Sequence, residues 1–142
     1  MSGIRRSLCA SCMCICLGIS PCVLAQDVVV HKGITSTDIN QNTLRAIIGM
    51  RLRVWDNGTP VRVFVLGDQH QLHQKFCKGT LGLFPHRLRR SWDRLVYAGI
   101  GQAPTEVSNQ EEMRHLVAIT PGAIGYLEQD MIDDSVRQIT VQ

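Results

Sequence analysis

Four consecutive residues have the types and the setting of a small-ligand site. They are Gly67, Asp68, Gln69 and His70, which we call the elbow. The elbow follows the apolar run from Val61 to Leu66, and after it Leu72 and Phe76 have the spacing of one helix face. The free N–H groups at the start of such a helix point to the end of the strand, where open α/β sheets bind ligands. The elbow therefore predicts a site for a small polar or anionic ligand, but an ordinary turn capped by Asp68 is the favoured interpretation.

A second candidate is a row of metal-ligating residues. His70, His73 and Cys77 fall within about 60° on one helix face, at ~100° per residue. Imidazole nitrogen and thiolate sulfur are common zinc ligands. A fourth ligand is not evident in the sequence. A polar helix face with one half-buried thiol is therefore favoured, and no metal is predicted.

The third candidate is a hydroxyl-rich stretch after the first predicted strand. It consists of Thr35, Ser36 and Thr37. Hydroxyl groups at such a turn can bind an anion, and they can equally cap a helix that begins after them. Because caps of this kind are common, capping is favoured over ligand binding.

The sequence contains none of the usual signatures of catalysis. There is no Gly-x-Ser-x-Gly elbow, no His-Glu-x-x-His, no phosphate-binding loop and no dinucleotide fingerprint. Cys77 with a nearby histidine resembles a nucleophile pair, but a single cysteine inside a helix usually serves packing. The chain is predicted not to be an enzyme and to use no cofactor.

The first 25 residues have the pattern of an export signal. Arg5 and Arg6 form a basic start, Leu8 to Leu24 is uncharged and mostly apolar, and Ala25 ends a cleavage sequence. Cleavage there would leave a periplasmic domain over residues 26–142. A retained anchor is less favoured because the apolar run is short and interrupted. Lipid attachment at Cys22 and a twin-arginine signal remain as weaker alternatives.

Removal of this leader changes both the cysteine count and the charge. Five of the six cysteines precede Gln26, so Cys77 alone remains and no internal disulfide is predicted. The mature chain has 13 basic and 12 acidic residues, which gives a net charge of +1. This balance favours neither a nucleic-acid nor a membrane partner, and no nucleic acid is predicted. Arg87, Arg90 and Arg94 share one helical face, which is interpreted as a solvated face rather than an anion or partner site.

Strand and helix signals alternate along the mature chain. Strands are predicted over 27–31, 61–66, 123–127 and 136–141, and helices over 39–49, 69–77, 85–99 and 111–118. The order β-α-β-α-α-α-β-β predicts one α/β domain built as a three-layer sandwich. The third helix is predicted to bury the stripe Leu88, Trp92, Leu95 and Val96.

Turn and cap residues set the predicted boundaries. Thr35 to Asp38 is predicted to cap the first helix, and Pro85 to begin the third. Ser108 and Glu111 have the spacing of a capping box for the last helix. Gly79 to Phe84 is predicted to be a loop.

One late segment resembles a known family. Thr120-Pro-Gly-Ala-Ile-Gly-Tyr126, after the helix Glu111-Glu-Met-Arg-His-Leu-Val-Ala118, closely resembles a segment of the periplasmic phosphate-binding proteins of ABC importers. Ile39 to Gly49, Trp55-Asp-Asn-Gly58 and Phe84 to Trp92 are similar to other parts of that family. The resemblance covers about residues 27 to 141. It implies one lobe of a type II periplasmic binding protein, a small anion as ligand and an ABC-transporter protein as partner.

The same resemblance also shows where the chain departs from the family. Full-length members clamp the anion between two lobes, whereas this chain has about half that length. Their pocket includes an Arg after the central strand and a Ser-Gly-Thr that opens the next helix. Alignment through Phe76 puts Leu66 in place of the Arg and residues 70–72 in place of the Ser-Gly-Thr. The resemblance therefore supports the fold, and it does not support a phosphate site.

Two functions follow from these observations. The first is an exported solute-binding-like protein related to the substrate-binding proteins of phosphate ABC transporters. Its candidate ligand residues are the elbow and the stretch from Thr35 to Thr37. The second is an interaction or accessory module of the envelope that keeps the fold without capturing solute. A lobe without its mate presents its former cleft surface to solvent or to a partner, which keeps the second function close to the first.

Overall fold

A six-stranded mixed sheet forms the centre of the structure, a computed structural model that describes residues 26–142. The export signal predicted for residues 1–25, with Cys22, lies outside the described residues. The strands are β1 (Gln26–Val30), β2 (Asp38–Ile39), β3 (Arg62–Leu66), β4 (Thr105–Val107), β5 (Ala123–Glu128) and β6 (Arg137–Val141). The helices are α1 (Gln41–Ile48), α2 (Gln71–Lys75), a π-helix (Phe76–Leu81), α3 (Pro85–Tyr97), α4 (Gln110–Ile119) and a 3₁₀ turn (Gln129–Met131).

The strand order determines which loops share an edge of the sheet. The order is β2-β6-β1-β5-β3-β4. β1 runs antiparallel to both of its neighbours, with Val28 opposite Tyr126 on one side and Ile139 on the other. β3 runs parallel to β5 and to β4. The carboxyl ends of β3, β4 and β5 therefore lie at the same edge, and the elbow follows β3 at that edge.

Alternating residues of β5 show that helices cover both faces of the sheet. A Cβ on Gly125 would lie 2.9 Å from Sδ of Met113, so α4 packs closely on that face. The next residue, Tyr126, points the other way, and its hydroxyl lies 2.5 Å from Nδ1 of His73 in α2. Successive residues of a strand face opposite sides of the sheet. The predicted three-layer α/β sandwich is therefore confirmed.

α3 is attached to the core through one aromatic residue. Pro85 occupies the first turn, as predicted, and Leu88 and Trp92 are buried. The indole Nε1 of Trp92 donates a hydrogen bond of 2.8 Å to the carbonyl oxygen of Ile48 at the end of α1. The predicted stripe is correct at these two positions, but Leu95 is only half-buried and Val96 is exposed.

The predicted cap of α1 is wrong. Asn40 caps this helix, because its side-chain oxygen accepts a hydrogen bond of 2.8 Å from the N–H of Thr43. The residues predicted as caps, Thr35 to Asp38, lie before the helix. Asp38 and Ile39 instead form β2 and pair with β6, so α1 begins only after this short strand, at Gln41.

The other boundaries differ from the prediction by smaller amounts. At α4 the cap is Asn109, which accepts from the N–H of Glu112, while the carboxylate of Glu112 accepts from the N–H of Ser108. The predicted capping box is therefore shifted by one residue. The loop predicted from Gly79 begins as the last part of the π-helix. In the described part of the chain, no helix is long and apolar enough to cross a membrane.

Candidate functional site

The elbow is a tight turn at the carboxyl end of β3. His70, and not Asp68, caps α2, since Nδ1 of its ring accepts a hydrogen bond of 3.1 Å from the N–H of Leu72. The carbonyl oxygen of Asp68 accepts a hydrogen bond from the side chain of Gln74 at 3.2 Å. These two local bonds fix the turn and leave the carboxylate of Asp68 free to face the neighbouring elements.

That carboxylate belongs to a charged cluster of Asp68, Arg89 and Glu106. Nε and Nη2 of Arg89 donate to the two oxygens of Asp68 at 3.0 and 2.9 Å, a bidentate pair. Nη2 also donates to Oε2 of Glu106 at 3.1 Å. Hydrogen bonding to Asp68 is the main reason that the pKa of Arg89 is raised. One guanidinium between two carboxylates leaves this edge with an excess of negative charge, which repels a free anion.

A buried chain of hydrogen bonds lies directly beneath the elbow. The hydroxyl oxygen of Tyr126 accepts from the N–H of Leu66 at 2.9 Å, and it lies 2.5 Å from Nδ1 of His73. Nε2 of His73 lies 3.6 Å from Oδ1 of Asp68. Burial lowers the pKa of His73, although the carboxylate of Asp68 acts in the opposite direction. A neutral ring that accepts from Tyr126 at Nδ1 and carries its proton on Nε2 directs that proton toward Sγ of Cys77 and the carboxylate of Asp68.

Cys77 contacts the ring of His73, at the end of this buried chain of hydrogen bonds. Its Sγ lies 3.5 Å from Nε2 of His73, and the side chain is completely buried. Burial raises the pKa of Cys77 to about 12, so the thiol stays protonated at neutral pH. A cysteine acts as a nucleophile or as a metal ligand in its thiolate form, so the protonated thiol of Cys77 suits neither role. Among residues 26–142 no group of three His, Cys, Asp or Glu side chains could hold a metal ion.

The hydroxyl stretch lies far from the elbow. The Thr37 hydroxyl donates to Oδ1 of Asp38 at 3.1 Å, and its carbonyl oxygen accepts from the N–H of Thr140. Thr35 and Thr37 are exposed and Ser36 is half-buried. β2, which follows this stretch, is separated from β3 by three strands. At about 4.8 Å per strand the two candidate regions are roughly 19 Å apart across the sheet, so the structure does not bring them together.

A polar groove of about 530 Å³ lies near the start of β1, and the sequence analysis missed it. It is lined by Asp27, Val28, Gln41, Gly79, Thr80 and residues 138–142. Oδ2 of Asp27 is buried and has no hydrogen-bond partner among the described residues. Burial raises the pKa of this carboxyl, and a hydrogen bond from Gln138 partly offsets the effect. The lining residues come from four separate segments of the chain, so no local motif indicates the groove.

The architecture and the elbow together define a class of fold. A mixed sheet with helices on both faces and a turn at the carboxyl end of a central strand is shared with part of a solved ABC-transporter substrate-binding protein. No family model matches the sequence, and no curated protein matches it. The class of fold is identified by comparison with solved structures alone.

Those structures are phosphate-binding proteins in particular. A protein from Clostridium perfringens, described as a phosphate ABC transporter substrate-binding protein and solved with bound phosphate, superposes with a TM-score of 0.67 at 18% identity. An ABC-type phosphate transport receptor from Vibrio cholerae gives 0.65 at 15% identity, and PstS from Borrelia burgdorferi gives 0.60 at 13%. These matches cover 82%, 82% and 83% of this chain, but only 44%, 46% and 47% of the solved chains. The predicted resemblance is confirmed at the level of the fold, and the chain spans less than half the length of those proteins.

Proposed function

We propose that this chain belongs to an exported, solute-binding-like protein of the phosphate ABC transporter type, and that its lobe over residues 26–142 serves as an accessory or interaction module in the envelope. It does not capture free phosphate by itself. Tight recognition of a solute would need a second surface to close the cleft, supplied by another copy or by an envelope or ABC-transporter protein. Its structural neighbours are binding proteins, which supports a binding role over a catalytic one.

The observation that supports this proposal is the charged cluster at the elbow. The guanidinium of Arg89, which faces the elbow, is already paired with Asp68 and with Glu106. An anion that entered here would have to displace a bidentate carboxylate and approach a second one. The elbow residues Gly67 to His70 can therefore offer a weak position for a small anion, with backbone N–H groups as donors. The stretch Thr35 to Thr37 precedes β2, which runs parallel to β3, so it lies at the opposite edge of the sheet from the elbow.

Export is proposed from the leader pattern. The basic start at Arg5 and Arg6 and the cleavage sequence ending at Ala25 predict that the mature chain begins at Gln26. Mass spectrometry of protein isolated from its native cells should show an N-terminus at Gln26. A mass that includes residues 1–25 would contradict the proposal.

Phosphate affinity tests the proposed function directly. Calorimetry of the purified protein with inorganic phosphate should give a dissociation constant of about 1 mM or weaker, which corresponds to about 4 kcal/mol. Asp68→Asn should improve the affinity about tenfold, because it removes the repelling carboxylate and frees Arg89 for a charge-assisted hydrogen bond worth about 1.5–3 kcal/mol. Glu106→Gln is the matched control. This change removes the same charge but leaves Arg89 paired with Asp68, so the gain in phosphate affinity should be smaller.

The alternative is a conventional importer component that holds a small anion at the elbow. It requires micromolar binding of phosphate by the unmodified chain. It also requires that this binding is lost when Asp68 and His70 are replaced. Both results together would overturn the proposed function.

A further inference from the structure

The outer face of α3 carries a continuous stripe of aromatic and basic side chains. The stripe consists of Phe84, Arg87, Arg90, Arg94 and Tyr97, spaced by three or four residues. At ~100° per residue the four members within the helix fall inside about 80° of one another. The stripe faces away from the core, since Leu88 and Trp92 on the opposite side of α3 are buried. We call it the α3 stripe.

Every member of the stripe is accessible to a partner. The three arginines are exposed, Phe84 is 53% exposed and Tyr97 is 90% exposed. Arg87, Arg90 and Arg94 form no salt bridge with any of the described residues. By contrast Arg89, which lies off the stripe, is held by Asp68 and Glu106. The stripe thus offers three uncommitted guanidinium groups over a length of about 10 Å, at 1.5 Å per residue.

The charge of this face is positive, although residues 26–142 together have a net charge of only +1. A shallow groove of about 400 Å³ follows the stripe, and it is lined by the three arginines, Tyr97 and one acidic residue, Asp93. Exposed arginines flanked by aromatic side chains on one helix face are complementary to an anionic membrane surface, where basic side chains are attracted and aromatic side chains are favoured.

We propose that the α3 stripe docks on the surface of an anionic phospholipid bilayer. The arginines contact phosphate groups of the lipids, and Phe84 and Tyr97 at the two ends enter the headgroup region, where amphipathic aromatic side chains are favoured. A soluble acidic polypeptide would pair with the arginines but would leave the apolar side chains at both ends of the stripe in water. An anionic bilayer can contact the arginines and the aromatic side chains at the ends of the stripe at the same time. This inference names the partner of the proposed interaction module and rests on it for its cellular setting.

Vesicle co-sedimentation tests the proposal. The full chain is produced with its own leader and purified as the cells process it. It should bind vesicles of equal parts phosphatidylglycerol and phosphatidylcholine and not vesicles of phosphatidylcholine alone. Arg87→Glu/Arg90→Glu/Arg94→Glu should weaken binding at least about a hundredfold, from about 1 kcal/mol per basic residue near an anionic surface. Tyr97→Ser should weaken it to a smaller extent without changing the charge.

A charge-matched variant separates the stripe from net charge. Arg62→Glu/Lys75→Glu/Lys78→Glu changes three exposed basic residues outside the stripe by the same total charge, and it should bind nearly as the unmodified chain does. Equal loss in both triple variants would overturn the proposal. Equal binding to neutral vesicles, or binding to polyglutamate but not to anionic vesicles, would also overturn it. Circular dichroism melting confirms that each variant is folded, and Tyr97→Ser gives an independent answer if the triple variant is not.

Phosphate calorimetry and vesicle binding use different ligands and different residues. Failure of one is therefore distinguishable from failure of the other. Inorganic phosphate at matched ionic strength should compete with vesicles no better than chloride does, because the stripe recognises the bilayer surface rather than a single phosphate group.

Discussion

Replacement of Trp92 by alanine is expected to cost about 3–5 kcal/mol of folding free energy. The side chain is buried to 1% exposure between α3 and the core. Its indole N–H also satisfies the carbonyl oxygen of Ile48, which lies at the end of α1 and has no further turn of helix to donate to it. Alanine removes the packing and this hydrogen bond together. Because a domain of this size has only about 5–15 kcal/mol of stability, this loss should lower the unfolding midpoint strongly.

Trp92→Phe serves as the control for this prediction. Phenylalanine keeps most of the aromatic volume and loses only the N–H donor, so a cost of about 1–2 kcal/mol is expected. Denaturant unfolding of both variants would measure the difference. A Trp92→Ala protein that unfolds cooperatively at nearly the original midpoint would show that α3 is not attached to the core as described.

The second large effect is expected at Gly122, in the turn before β5. Its φ of +77° favours glycine, and a Cβ there would lie 2.0 Å from the carbonyl oxygen of Pro60. The carbonyl of Gly122 also accepts the indole N–H of Trp55 at 2.9 Å and the N–H of Arg62 at 3.0 Å. Gly122→Ala must therefore move the backbone just before β5 away from the backbone just before β3, to which it is hydrogen-bonded. We expect a loss of about 3–5 kcal/mol from strain and overpacking together.

Gly58→Ala isolates the strain from the overpacking. Gly58 has a φ of +82°, but a Cβ there would have no other atom within 4 Å. Its replacement by alanine should lower the free energy of unfolding only by the penalty for the left-handed conformation, about 1–2 kcal/mol. Thermal and denaturant unfolding of the two variants should thus give clearly different losses. Equal losses would mean that the turn at Gly122 does not pack against Pro60.

The parts of the fold that were predicted correctly have strong local signals. The β-branched run ending at Leu66, the proline at the start of α3 and the Gly-Ala-Ile-Gly-Tyr stretch of β5 each carry their structure in adjacent residues. Trp92 was placed in the core because its spacing from Leu88 is that of one helix face. These elements were sufficient to indicate the three-layer architecture.

The parts that were missed depend on residues distant in sequence. β2 and β4 have two and three residues, and they are strands only because β6 and β3 lie beside them. The formation of β2 in turn moved the cap of α1 to Asn40. The charged cluster combines Asp68 with Arg89, 21 positions later, so no spacing rule could indicate that the carboxylate of Asp68 is already paired. Local propensity does not contain such tertiary pairings.

The burial of Cys77 has a consequence for the chemistry of folding. In an oxidising compartment, such as the one proposed for this protein, a single accessible thiol would form mixed disulfides or link two copies of the chain. In the folded protein this thiol is fully buried and protonated, so it is protected from exchange. The thiol is reactive only while the chain is unfolded. Folding therefore competes with oxidation, and variants that fold slowly should accumulate as covalent dimers.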